Sequence, residues 1–507
     1  VAVKNLQATL QYIGDLPDGN VLNPPEKLID TSLAASFASQ DAYTADEATL
    51  ATKIAWYEPH HIDDLPIHGD ERFIWSGKLA CTTESKGYGD QFTQNATTML
   101  IGHQHLLTIL ETDSHPGQKI LTDEMHIIID DASMLEDTAT KAYGWYCSFD
   151  TIRAAAEGDE MLTRLTDILQ LWLEKTRDAQ DTRYLTKADL TTPDIRSLRE
   201  QLSEVVQQMD SRKREPFYLQ LLDVQNILDA ENLAGRITWI EQRQNGSQFL
   251  QSVPEHVSGL LQEKLYEQHK TTLLIPPESA ESLREILPQQ TSKEQTTLPD
   301  IQQCGVSLRH DPDTSVTDIL QEPQEGKTII LMNSRGRIEH VFSEFAHVLE
   351  EKGIRFICQN LSGGMGRMQA EFANSTAPCI WVLTPWSFEG IHIPKESIDH
   401  LIIEALPFDH PAHTILSKRG EHYNNAFGEY ALPRLQHRLF RLLRTFCHFR
   451  SKEGDVCLLD KRIEQKAYGR TIWEYVQRIT QPKEISNEPP QQKPDQPAQT
   501  SLFDETT

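Results

Sequence analysis

From Lys327 onward the chain alternates short apolar runs with stretches of helical period. Lys327–Met332 is a continuous apolar run of strand length. It is followed by Ile338, Val341, Phe342, Phe345, Val348 and Leu349, a spacing that predicts one helix face, with Gly353 at its C-terminal cap. Further strands are predicted at 355–358, 379–384, 400–404 and 455–460. Runs without polar alternation, separated by helices, imply a parallel sheet covered on both faces. Nearer the N-terminus, 125–129 is a strong strand, whereas 141–235 reads as helical, with long charged stretches such as 197–214. The pattern divides the chain into 1–140, which mixes short apolar runs with polar loops; 141–235, helical; 236–480, alternating strands and helices; and a Pro- and Gln-rich linker and tail at 481–507 expected to be disordered.

Ligands of parallel sheets bind beyond the carboxyl ends of the strands, so the residues there are the candidates. After 125–129 stands Asp130-Asp131-Ala132-Ser133. Paired carboxylates ending a buried strand form a Walker-B-like arrangement: one can hold Mg²⁺ through water while the next orients an attacking water. The same residues also suit an Asp-rich turn or a helix cap. After 379–384 comes Pro385-Trp386-Ser387-Phe388-Glu389-Gly390, and after 400–404 comes Ala405-Leu406-Pro407-Phe408. The run 436–444 (QHRLFRLLR) is predicted helical, which places Arg441 and Arg444 on one face. Two guanidinium groups so placed suit a nucleotide γ-phosphate, or equally a solvated basic face.

Composition changes this picture in three places. The 507 residues suffice for two to four domains, and no apolar run approaches the ~20 residues that cross a bilayer. The seven cysteines are scattered and never form C-x-x-C, which argues against a disulfide framework or zinc module and for a reducing, cytoplasmic setting. The net charge of −27 by itself gives no hint of nucleic acid, although basic residues gather locally at Arg434, Arg438, Arg441, Arg444 and Arg450.

Taken in order, these elements resemble the DinG/XPD branch of superfamily 2 helicases. Residues 1–17 (VAVKNLQATLQYIGDLP) are similar to the segment that follows the family's phosphate loop, and 99–107 (MLIGHQHLL) to the stretch before motif II. Asp130–Ser133 stands where the family has D-E-A-H, and 237–261 resembles the approach to motif III. KTIILMNS at 327–334, SFEGIHIP at 387–394 followed by Leu406-Pro407-Phe408, QHRLFRLLR at 436–444 and DKRIEQKAYG at 460–469 resemble motifs IV, V and VI and the closing D-x-R…Y-G. The resemblance implies two RecA-like parallel-sheet domains, the first partial, with a degenerate iron–sulfur-type insertion, at 1–140 and resumed at 236–300 after a helical arch inserted at 141–235, the second at 301–480. It also implies an ATP-dependent 5′–3′ DNA helicase of repair or replication, and ATP and Mg²⁺ as ligands. Asp130 would hold Mg²⁺, Asp131 would take the catalytic role, and Arg441 and Arg444 would be arginine fingers. Gln436, Glu389 and Gly390 would face the nucleotide, and Asn333, Ser334, Trp386 and Ser387 would face single-stranded or forked DNA.

The sequence departs from the family pattern at several points. No G-x-x-x-x-G-K-[ST] occurs, so a phosphate loop is expected upstream of Val1 and this stretch alone is expected to be inactive. Asp131 replaces Glu, Phe440 replaces Gly, His392 replaces Asp, and His437 takes the Gln position of motif VI, with Gln436 one residue early. These changes keep open a catalytically degenerate nucleic-acid-binding subunit. After Trp75, where the family often has four cysteines, only Cys81 remains, so no iron–sulfur cluster is expected. Finally, Gln499-Thr500-Ser501-Leu502-Phe503 resembles the bacterial sliding-clamp-binding peptide. Gln499, Leu502 and Phe503 would make the contact, and a clamp-associated scaffold is a third reading.

Overall fold

The computed structural model describes residues 1–480 except 7–8, 11–18, 68, 70, 94–95, 113, 123–124, 179, 210–215, 244, 277–282, 284, 289–305, 324 and 377. The 481–507 linker and tail, with the clamp-like peptide, lie outside the described residues.

Its strands in chain order are β1 (Ala2–Val3), β2 (Gly19–Leu22), β3 (Thr98–Gly102), β4 (His126–Ile129), β5 (Trp145–Ser148), β6 (Thr182–Tyr184), β7 (Arg236–Gln242), β8 (Gln248–Pro254), β9 (Lys270–Leu273), β10 (Ser307–His310), β11 (Lys327–Leu331), β12 (Arg355–Cys358), β13 (Cys379–Leu383), β14 (Ile398–Ile403) and β15 (Arg450–Leu458). They form three sheets. The first lobe holds β2-β3-β1-β4-β9 and the second holds β10-β15-β14-β11-β13-β12. The pairings in both are parallel, for example Ile129↔Leu273 and Ile329↔Trp381. In the second lobe successive residues serve opposite faces. Ile329, Leu331, Trp381 and Leu401 join one core, with Phe372, Leu439 and Phe446 from helices. Ile330, Ile380, Val382 and Ile402 join the other, with Phe345 and Leu349. A strand buried on both sides can carry no polar alternation, which is why these runs are continuous in sequence.

The insertion differs from the helical expectation for 141–235. Its helices, among them Glu160–Arg177 and Pro193–Gln208, pack on an antiparallel sheet, β5-β8-β7-β6. Ile240 of β7 and Leu250 of β8 share its core with Cys147 of β5. The segment expected at 236–300 to rejoin the first lobe therefore begins inside the insertion, and β9 makes the return. β5 and β6 are only 4 and 3 residues long, too short for a period-2 signal to stand out.

The Y-G of the closing motif has a steric origin. A Cβ on Gly469 would lie 2.2 Å from the Ile463 carbonyl oxygen and 2.4 Å from that of Arg462, where backbone cannot yield as a flexible side chain can. Gly469→Ala is expected to cost about 3 kcal/mol of second-lobe stability. Gly366→Ala, which meets nothing within 4 Å on the helix Met365–Asn374, should be neutral or slightly stabilising. Urea unfolding of the two variants reads this contrast, and equal midpoints would refute it.

Candidate active site between the two parallel sheets

Asp130 opens the turn after β4, and the backbone N–H of Asp130 donates to the Ala2 carbonyl at 2.9 Å, tying this strand end to β1. Asp131 adopts a left-handed conformation, φ 51°, which short polar residues tolerate best. Ser133 Oγ then donates to Asp131 Oδ1 at 2.8 Å. These carboxylates meet the helix Leu432–Phe449 of the second lobe. Arg441 Nη1 donates to Ser133 Oγ at 3.2 Å across 308 residues of sequence. Arg441 Nε is 3.8 Å from Asp131 Oδ2, and Arg444 Nη1 is 3.7 Å from Asp130 Oδ1. The strand end and the two arginines thus face one cleft.

Glu389, whose side chain is 5 % exposed, accepts from Arg441 Nε at 3.0 Å and is also paired with Lys4 at the end of β1. Burial pushes the Glu389 carboxyl up, but Arg441 and Lys4 outweigh it and hold it below the usual carboxylate range. A Cβ on Gly390 would lie 3.4 Å from the Asn5 side-chain amide nitrogen, an ordinary contact between the lobes. His103, buried at the start of the helix His103–Glu111, is held below the ordinary imidazole range by burial, against the pull of Asp131. Burial, reinforced by Arg441 and Arg434, drives His437 down to about 3, so a neutral imidazole stands at the Gln position of motif VI. Gln436 is half-buried beside it. Among the described residues no group of three or more His, Cys, Asp or Glu side chains is arranged to hold a metal. At Asp130 a lone carboxylate would suit Mg²⁺, which usually keeps several waters and takes further oxygens from phosphates.

The basic run of this helix is mostly not a free surface. Arg434 binds Asp137 at 2.9 Å and Asp409 at 2.8 Å, and Arg438 donates to Asp409 and to the Pro407 carbonyl, both at 2.6 Å. Arg434, Arg438 and Arg441 form the stripe that faces carboxylates, while Arg444 sits at its exposed edge. The proposed nucleic-acid contacts are also partly engaged. The Asn333 amide donates to the Leu406 carbonyl at 3.0 Å, Ser334 caps the helix Arg335–Glu351, and Ser387 accepts from Thr384 at 3.1 Å. Trp386 is 46 % exposed, with the Arg438 guanidinium 5.1 Å from its ring. Gln499, Leu502 and Phe503 lie outside the described residues, and the clamp partner rests on the sequence alone.

Residues 315–479 match the helicase C-terminal domain family. A stretch of 165 residues is 27 % identical to the 3′-5′ exonuclease DinG of Bacillus subtilis (strain 168), covering 30 % of this chain but only 17 % of that protein. Over 90 % of its length the chain superposes on a solved XPD helicase with a TM-score of 0.56 at 12 % identity, covering 85 % of that structure. Residues 315–479 therefore carry the helicase C-terminal domain, and the chain shares the overall fold of the solved XPD helicase. A second solved relative of this DinG/XPD-like fold, S. tokodaii Xpd4, gives a TM-score of 0.50 at 14 % identity over 75 % of this chain and 81 % of that one.

Cys81, the single thiol in the segment where DinG/XPD-like proteins often carry four, is buried near Tyr88 in the first-lobe core. A hydrogen-bonded chain occupies this region. The Gly117 N–H donates to His115 Nδ1 at 3.0 Å, which leaves the His115 Nε2 proton for the Tyr88 oxygen at 3.2 Å. Tyr88 donates to His105 Nε2 at 2.7 Å, and His105 Nδ1 donates to the Leu22 carbonyl at 3.2 Å. This direction requires both imidazoles to be neutral, and burial holds His105 down at about 4. A histidine with a depressed folded pKa contributes stability that is complete above its ordinary 6.5 and is lost as pH falls toward 4. The subdomain should therefore lose on the order of 3 kcal/mol between pH 7 and pH 4. Tryptophan fluorescence melts at the two pH values should show this loss, and a His105→Gln variant should flatten the dependence. An unchanged slope in that variant would refute the assignment.

Proposed function

We propose that this chain carries the motor machinery of an ATP-dependent DNA helicase that translocates 5′ to 3′ in DNA repair or replication. The contact of Arg441 and Arg444 with the Asp130–Ser133 turn across the cleft carries this reading. Catalysis of phosphoryl transfer is largely positioning and charge stabilisation, and these groups come from two lobes that one nucleotide could draw together. Asp130 would hold Mg²⁺, which would supply charge neutralisation at the phosphates. Asp131, steered by Ser133 and Arg441, would orient the attacking water. Arg441 and Arg444 would meet the γ-phosphate, with Glu389 and Gly390 behind them and Gln436 nearby. Exposed Trp386 suits stacking on a base of single-stranded or forked DNA, beside Ser387, Asn333 and Ser334.

One observation favours a second reading, a non-hydrolysing nucleic-acid-binding subunit. Asp131 is one methylene shorter than glutamate, and its carboxylate is already engaged by Ser133. Strand separation decides between the two readings, measured with a polypeptide that also carries a phosphate-binding loop. With ATP, 5′-tailed duplexes should be unwound and 3′-tailed ones left intact. Nucleotide and strand binding without turnover would establish the second reading, and failure to prefer single-stranded over duplex DNA would overturn both.

A further inference from the structure

Three bodies meet at one buried side chain. Arg419, 2 % exposed, belongs to the helix Thr414–Gly420 of the second lobe. Its Nη1 donates to Glu136 Oε1 at 2.9 Å and its Nη2 to Thr140 Oγ1 at 2.7 Å, both on the first-lobe helix Leu135–Ala142. The same Nη2 donates to the Pro254 carbonyl at 2.9 Å, and Nε donates to the Glu255 carbonyl at 2.9 Å, at the end of the insertion's β8. Around this point the Tyr430 hydroxyl donates to Glu136 Oε1 at 2.5 Å, His422 pairs with Glu255 at 2.8 Å, and Tyr184 of β6 donates to the Thr414 carbonyl at 3.2 Å. Tyr430 itself lies in a π-helical turn, Phe427–Ala431, a backbone irregularity frequent at functional sites.

The helix that Arg419 grips begins at Leu135, one residue beyond the Asp130–Ser133 turn and continuous with the 3-10 turn Ala132–Met134. A rigid path therefore runs from the insertion's sheet through Arg419 and Glu136 to the carboxylates that face Arg441 and Arg444. A planar guanidinium can hold a carboxylate, a hydroxyl and two carbonyls at once in fixed geometry; an ammonium, a point charge on a flexible stem, cannot. We propose that Arg419 is a positioning residue that couples the insertion to the nucleotide cleft, so that a strand engaging the insertion changes the placement of Asp130 and Asp131. This rests on the helicase reading for its functional consequence, but not for the mechanical coupling.

Hydrogen–deuterium exchange on the full chain tests the coupling without nucleotide or DNA. In Arg419→Gln, amides of Leu135–Ala142, of β8 and of Thr414–Gly420 should all exchange at least tenfold faster, while β11, β13 and β14 stay unchanged. Acceleration confined to Thr414–Gly420 would overturn the proposal. Should that variant fail to fold, Thr140→Val removes one acceptor and leaves Arg419 in place. Faster exchange should then appear in β8 and Thr414–Gly420, far from the substitution in sequence, and its absence there would equally overturn the proposal. In a polypeptide that hydrolyses ATP, Arg419→Gln and Arg419→Lys should both bring the ratio of strand-stimulated to basal hydrolysis toward one. A partly misfolded preparation would lower both rates and leave that ratio alone, so an unchanged ratio would refute the functional half. Absence of any hydrolysis by the parent would sink the helicase reading while leaving the exchange result standing.

Discussion

Replacing Arg441 by alanine is expected to slow DNA-stimulated ATP hydrolysis about a thousandfold or more, the usual consequence of removing an arginine finger. The side chain is buried and held from three sides, by Glu389, Ser133 and Asp131. Its guanidinium is therefore already oriented where charge would develop, and little reorganisation accompanies the reaction. Asp130→Ala should fall in the same range, through loss of the proposed Mg²⁺ ligand. Arg444, whose side chain is 48 % exposed and 3.7 Å from Asp130, should show a smaller loss on truncation. Steady-state phosphate release at saturating single-stranded DNA, in a polypeptide that carries a phosphate-binding loop, gives all three rates. Hydrolysis unaltered by both Arg441→Ala and Asp130→Ala would refute the site assignment. Glu389 keeps Lys4 as a partner in Arg441→Ala, so that variant should remain folded and its slow rate should report chemistry.

The largest effect on stability is expected at Arg434. This side chain bridges the lobes, reaching Asp137 through Nη2 and Asp409 through Nε, with Glu136 3.5 Å from Nη1. Burial pushes the carboxyls of Asp137 and Asp409 up, but Arg434 outweighs it and holds both below the usual range. Arg434→Ala would leave the half-buried Asp137 without its main counter-charge and Asp409 with Arg438 alone. Breaking a fully buried pair on one side costs about 3–5 kcal/mol, and the partial exposure of Asp137 and Asp409 places this bridge at the lower end. The lobes should then melt in two separate steps and the radius of gyration should rise in solution scattering. Arg434→Lys should rescue little, because one ammonium cannot bridge two carboxylates as a guanidinium does. For carboxyls with depressed folded pKa the stabilisation is present above about pH 4 and fades as pH falls through the folded values. The difference between parent and variant should shrink accordingly in acid, and a difference independent of pH would show that the ion pairs are not its origin.

How far the sequence revealed this molecule depended on how local the determining contacts are. The second lobe was legible because β11, β13 and β14 are buried on both faces and announce themselves as apolar runs. The motif order singled out the Asp130–Ser133 turn and Arg441, but not the hydrogen bond that joins Arg441 to Ser133 across 308 residues. Other features left no local trace. Arg419 sits in an ordinary-looking S-K-R-G segment, and its partners come from two distant stretches of chain. Lys4 and Glu389 meet although 385 residues separate them in sequence. The cluster from Arg434 to Arg444 read as a local excess of positive charge, yet Arg434 and Arg438 are occupied by Asp137 and Asp409. A sequence shows where the charge lies but not what faces it.

The split of the first sheet bears on the order in which the molecule can form. β4 ends at Ile129 and its neighbour β9 begins at Lys270, so a ribosome must deliver the whole insertion before their ladder can close. Closing so long a loop from an unfolded chain is entropically costly and slow. The insertion has a core of its own, and its collapse would bring the flanking segments together and shorten the loop that β9 must close. The second lobe, whose strands lie between Ser307 and Leu458, has no such dependence. During synthesis the first sheet would thus wait as a four-stranded intermediate with an unpaired β4 edge, the kind of exposed edge that invites aggregation. Recovery of this protein from expression should accordingly respond more to what slows or destabilises the insertion than to equal damage in the second lobe.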